Sequence, residues 1–65
     1  MLVTINGEQT RLDEVQTVAG LIEFLRLEGR IAVEINREIV PRSQFEKFRI
    51  GNGDIIEIVH AIGGG

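Results

Sequence analysis

Val3-Thr4-Ile5-Asn6-Gly7-Glu8-Gln9-Thr10-Arg11-Leu12 reads as two strands joined by a tight turn. Val3 and Ile5 alternate with Thr4 and Asn6, the period of two that places apolar side chains on one strand face. Asn6-Gly7 is a strong hairpin signal, because a type I′ turn needs positive φ at both central residues. The second strand, roughly Glu8 to Leu12, returns antiparallel.

Working outward, Thr17 has the right chemistry for a helix N-cap. Val18, Leu21, Ile22 and Leu25 follow at i, i+3, i+4 and i+7, one apolar helical face. Asp13 and Glu14 before the cap and Arg26 and Arg30 toward the far end suit the helix dipole. Gly29 is placed to stop the helix in a left-handed conformation. Ile31, Val33 and Ile35 then alternate with Ala32, Glu34 and Asn36, a third strand. Ile39-Val40 is a short strand ended by Pro41. Ser43 to Lys47 suits one helical turn that drops Phe45 and Phe48 onto the core. Gly51-Asn52-Gly53-Asp54 is a turn, and Ile55 to Ile62 a last strand.

The order β-β-α-β-β-(short turn)-β predicts an α+β, ubiquitin-like β-grasp fold. A mixed sheet of about five strands packs on one main helix, with one sheet face covered and the other open. Residues 1–62 form the domain on this reading, and 63–65 a flexible glycine tail. The last strand is apolar on both sides: Ile56, Ile58 and Ile62 on one, Ile55, Val59 and Ala61 on the other. Either it is a deeply buried central strand, or one side is a partner surface, with Ile56, Ile58, His60 and Ile62 the candidate docking residues.

Composition narrows the function. The 65 residues suffice for one domain, and a chain this short buries only about 60% of its unfolded surface. No basic leader or cleavage site opens the chain and no apolar run spans a bilayer, so the expectation is a cytoplasmic protein with no membrane partner. With no cysteine there is no disulfide, thiol nucleophile or thiolate metal site, and the single histidine, His60, forms no cluster. A net charge of −3 and only three aromatic residues, all Phe, argue against nucleic-acid binding. No catalytic residue, metal site or cofactor of its own is expected. Asp54 and Glu57 lie close together, with Asp54 explained by its turn. Arg37 and Arg42 could steer a partner, or simply be solvated.

The tail carries the chemistry. Three consecutive glycines, Gly63-Gly64-Gly65, arise by chance roughly a few times in ten thousand at average glycine frequency. Glycine has no Cβ, so such a tail can thread a channel too narrow for other residues. Three extended residues reach roughly 10 Å, far enough to carry the Gly65 carboxylate into a partner's active site. A free carboxylate is a poor electrophile; as an acyl-adenylate made with ATP it accepts a sulfur nucleophile and becomes a thiocarboxylate. None of this needs a catalytic side chain from the carrier.

Taken in order, the Asn6-Gly7 hairpin, the Thr17-Val18 helix start, Val33-Glu34-Ile35-Asn36, Ile39-Val40-Pro41-Arg42, Gly53-Asp54-Ile55-Ile56-Glu57-Ile58 and the closing glycines resemble the ThiS family. These are sulfur carriers for thiazole formation in thiamine biosynthesis. The resemblance covers essentially the whole chain and departs from the family in having three glycines rather than two. It implies adenylation by a ThiF-like enzyme using ATP, and a sulfur donor such as a persulfide-bearing protein. It further implies a thiocarboxylate at Gly65, the tail Gly63, Gly64 and Gly65 threaded into the partner, and delivery to a ThiG-like thiazole synthase. Two other readings share the tail: a carrier for molybdopterin or another sulfur-transfer pathway, and a ubiquitin-like modifier of target lysines. Lys47 is the only lysine, which leaves little scope for chains of the last kind. A plain binding module is the remaining one.

Overall fold

The computed structural model describes residues 1–60. Strand β1 (Leu2–Ile5) and strand β2 (Glu8–Arg11) precede helix α1 (Val18–Phe24). Strand β3 (Ile31–Ile35), strand β4 (Glu38–Val40), a 3-10 turn (Arg42–Gln44) and strand β5 (Ile55–His60) follow. The five strands form one sheet in the order β2-β1-β5-β3-β4. β1 and β5 run parallel, and every other neighbouring pair is antiparallel. This is the β-grasp arrangement expected from the element order.

Both hairpins close through two-residue turns with positive φ at each position: Asn6 at 48° and Gly7 at 85°, Asn36 at 51° and Arg37 at 70°. Such turns match the right-handed twist of the strands they join. The first was legible in its Asn-Gly pair. The second carries arginine where glycine is usual, and so gives a weaker signal.

The helix begins where expected. The Thr17 hydroxyl accepts from the Gly20 amide at 3.1 Å. The Val18 amide donates to the Phe48 carbonyl at 3.1 Å and that of Ala19 to Phe45 at 2.8 Å. These bonds satisfy first-turn N–H groups that have no partner within a helix. They also tie the 3-10 segment across the helix end, where Phe45 and Phe48 pack against the core.

The helix end differs from expectation. It closes one turn before Gly29, with Leu25 as C-cap and Arg26 left-handed at φ 57°. The Arg26 amide donates to the Glu23 carbonyl at 3.0 Å and that of Leu27 to Ile22 at 3.1 Å, the two bonds of a Schellman closure. Leu27 thereby turns back onto the core, and that burial outweighs the cost of a left-handed arginine. Gly29, at φ 88°, serves the loop beyond.

One side of the sheet and the helix enclose the core. Leu12, Leu21, Ile56, Val3, Val18 and Val33 are its largest fully buried side chains. No polar or charged residue is buried among the described residues. Each such apolar side chain stabilises the fold by about 1.5–3 kcal/mol.

Arg26→Gly is expected to raise stability by about 0.5–1 kcal/mol, after allowing for the greater freedom of glycine in the unfolded chain. A urea titration reads this as a higher midpoint with unchanged slope. A lower midpoint would show that the arginine side chain contributes more than its strained backbone costs.

Candidate functional site

Strand β5 is the element from which the chain continues into residues 61–65. It occupies the middle of the sheet, parallel to β1 on one side and antiparallel to β3 on the other. Its regular pairing with β1 is brief, Thr4 with Ile55 and Ile5 with Ile56. Asn6 then takes over. Its backbone amide donates to the Ile56 carbonyl at 2.9 Å. Its side-chain amide donates to the Ile58 carbonyl at 3.1 Å while its Oδ1 accepts from the Ile58 amide at 2.8 Å. A side-chain carboxamide therefore stands in for a peptide group and extends the ladder past the end of β1.

Asn36 does the corresponding work from the other hairpin. Its backbone amide donates to the Ile55 carbonyl at 2.8 Å, and its Oδ1 accepts from the Ile55 amide at 3.0 Å. Its Nδ2 donates to Asp54 at 3.0 Å, and the other Asp54 oxygen accepts from the Gly51 amide at 2.7 Å. Asp54 is thus occupied in shaping the turn that starts β5. Asn52 in that turn accepts from the Leu2 amide at 2.7 Å, tying it to β1.

Two of the docking residues expected on β5 are core residues. Ile56 is 0% exposed and Ile58 is 7% exposed; both point into the core and not toward a partner. The reason is register: Ile56 lies beside the inward Ile5 of β1 and opposite the inward Ile35 of β3. His60 is on the same side of the strand but beyond the core, exposed, at the lip of a cleft it shares with Ile5, Asn6, Glu8 and Leu27. Ile62 and the tail residues Gly63, Gly64 and Gly65 lie outside the described residues.

The opposite side of β5 is the open one. Ile55 is 58% exposed and Val59 60%, with Ile39 of β4 at 78% on the same face. The alternation in β5 separates its two faces; which of them meets the helix depends on pairings with strands far away in the chain. Glu57 is exposed between Ile55 and Val59. Arg37 sits in the β3–β4 turn, and Arg42 reaches the Gly29 carbonyl at 3.4 Å. Among the described residues no group of three or more His, Asp or Glu is placed to hold a metal ion, and no helix is long and apolar enough to cross a membrane.

The sequence profile of the ThiS family matches residues 3–65. The sulfur carrier protein ThiS of Bacillus subtilis (strain 168) is 32% identical over 66 residues, covering 98% of this chain and 100% of that protein. The thiazole synthase of Paramagnetospirillum magneticum is 42% identical over 66 residues, covering 100% of this chain but 20% of its own length. A second thiazole synthase, from Magnetococcus marinus, is 35% identical with the same coverage, so the chain spans a fifth of the length of these two relatives. The crystal structure of the thiamine biosynthesis protein (ThiS) from Geobacter metallireducens superposes with a TM-score of 0.88 at 29% identity, covering 100% of both chains.

Asn6→Asp keeps an acceptor for the Ile58 amide but sets an oxygen against the Ile58 carbonyl. Its expected cost is about 1–3 kcal/mol, the desolvation penalty of a polar group left without its partner. Hydrogen exchange at the Ile58 amide should quicken relative to the wild type. Unchanged exchange and an unchanged melting midpoint would show that the strand is held without this clamp.

Proposed function

The chain belongs to the ThiS family of thiamine-biosynthesis sulfur carriers, and from that premise we propose that its Gly65 carboxylate is the group that carries the sulfur. In the first step a carboxylate oxygen attacks the α-phosphorus of ATP on a ThiF-like adenylating enzyme. Pyrophosphate leaves, and an acyl-adenylate remains. The terminal sulfur of a donor such as a persulfide-bearing protein then adds to the acyl carbon and AMP departs, leaving an acyl disulfide to the donor. A thiol of the donor protein attacks the donor-side sulfur, is oxidised with it to a disulfide, and releases the thiocarboxylate. Thiazole synthase is the acceptor of that sulfur on this reading. It is supported by two thiazole synthases that contain a stretch similar to the whole of this chain. The lack of any cysteine suits work in the cytoplasm.

The single observation that carries the proposal is the match of the whole chain, in sequence and in fold, to the ThiS family. The physical division of labour agrees with it. A body anchored through β5 supplies recognition, and Gly63, Gly64 and Gly65 supply slender reach. The adenylating enzyme supplies the electrophile, so the carrier brings an acyl group and no general acid or base.

Incubation with the adenylating enzyme, ATP and a sulfur source, followed by tryptic mass spectrometry, tests this directly. Arg49 is the last tryptic site, so Ile50 to Gly65 is released as one peptide, and it holds no methionine whose oxidation could imitate the change. The expected result is an oxygen-for-sulfur exchange at Gly65 that thiol alkylation traps. An unmodified tail, or a ladder of protein conjugates in its place, would overturn the assignment. Gly65→Ala is expected to fold normally and to slow adenylation by roughly 10- to 100-fold, because a methyl group displaces the carboxylate from its in-line position. Equal adenylation rates would show that the channel does not select for glycine.

A further inference from the structure

The open face of the sheet has a composition that the fold itself does not require. Glu34 of β3 and Glu57 of β5 stand directly opposite one another in register. Directly opposed residues on antiparallel strands have Cα atoms about 4.5–5.5 Å apart, and like charges so placed destabilise the sheet. The side-chain hydrogen bonds that reach β5 among the described residues come from Asn6 and Asn36, and neither carboxylate takes part in them. Apolar groups surround the pair: Ile39 is opposite Glu34 on β4, Ala32 faces Val59 in the next row, and Ile55 lies on the other side. Ile39, Val59 and Ile55 are all more than half exposed. Ala32, Glu34, Ile39, Glu57 and Val59 line a shallow depression of about 250 Å³, room for the head of one long cationic side chain.

We propose that this face docks a protein partner whose own surface presents an arginine amid apolar side chains, its guanidinium seated between Glu34 and Glu57. The proposal rests on the carrier reading above and names the surface by which the adenylating enzyme holds the carrier. A guanidinium carries five N–H donors in a planar fork and can bridge two carboxylates at once, which a lysine does less well. Its arrival turns the repulsion between the two glutamates into attraction, while Ile39, Val59 and Ile55 lose their contact with water. Arg11, opposite Leu2 at the β2 edge of the same face, gives the surface a positive end and fixes the orientation of a partner of opposite polarity. A second copy does not seat on the glutamate pair itself, since a two-fold contact centred there would gather four carboxylates with no cation between them. The strand bearing Glu57 is also the one that leads into residues 61–65, so a partner gripping this face lies next to what the chain delivers.

The experiment compares wild type with E34Q/E57Q in binding to the ThiF-like adenylating enzyme of the same organism, at low and high salt, alongside urea unfolding of each. The expected result has opposite signs. Removing the like-charge pair raises the unfolding midpoint, yet weakens binding about tenfold at low salt and flattens its salt dependence. Ile39→Ser, at the most exposed apolar position, should fold as the wild type does and also weaken binding several-fold. Wild-type affinity and salt dependence in E34Q/E57Q would overturn the proposal. So would sedimentation showing a dimer that the double variant strengthens, which would make a second copy the occupant. Thiocarboxylate formation at saturating carrier separates the two readings. If the wild type is sulfurated and E34Q/E57Q has the same half-saturation, docking fails and the carrier role stands; if the wild type is never sulfurated, the carrier role fails first.

Discussion

The structure depends on holding a strand that arrives last in the chain at the centre of a sheet begun by the first residues. β5 must slot between β1 and β3, elements separated from each other by the whole helix. Its parallel pairing with β1 spans only two residue pairs. Asn6 makes up the deficit from the first hairpin turn, its carboxamide bonding both backbone groups of Ile58. Asn36 holds the other side through the Ile55 amide and the Asp54 carboxylate. Asparagine suits both demands at once. It tolerates the left-handed backbone of a type I′ turn, and its side chain imitates a peptide group. The turn residue that closes a hairpin is therefore also the clamp on the central strand.

The same economy governs the helix. Seven residues are too few to be stable alone, so α1 exists because Val18 and Leu21 are fully buried and because its first amides find carbonyls at Phe45 and Phe48. The segment between β4 and β5 contains little regular structure of its own. It nevertheless determines where the helix starts, by completing the bonds that Thr17 begins. Packing, caps and clamps together compensate for the small core available to a domain of this length.

The two sides of the sheet differ in character. The covered side of the sheet is entirely apolar where it meets the helix. The open side combines exposed Ile39, Ile55 and Val59 with an opposed pair of glutamates, a combination that costs stability in isolation and suits a cationic, partly apolar partner.

The order and type of every element were legible in the sequence, because the signals are local. Asn6-Gly7 encodes its turn within two residues, Thr17 its cap within three, and the apolar spacing of 18–25 its helix within two turns. The family was legible for a similar reason: its short motifs, from the Asn6-Gly7 hairpin to the closing glycines, can be read in order from residue types alone. Three features were decided only in the folded state. Arg26 ends the helix before Gly29 because Leu27 gains burial by the earlier turn. Asn36 becomes a clamp only once β5 lies beside it. And β5, apolar on both faces, turns Ile56 and Ile58 inward and Ile55 and Val59 outward because its register is set by Ile5 and Ile35, residues distant in sequence. A period of two assigns residues to opposite faces, but only long-range pairing assigns a face to the core.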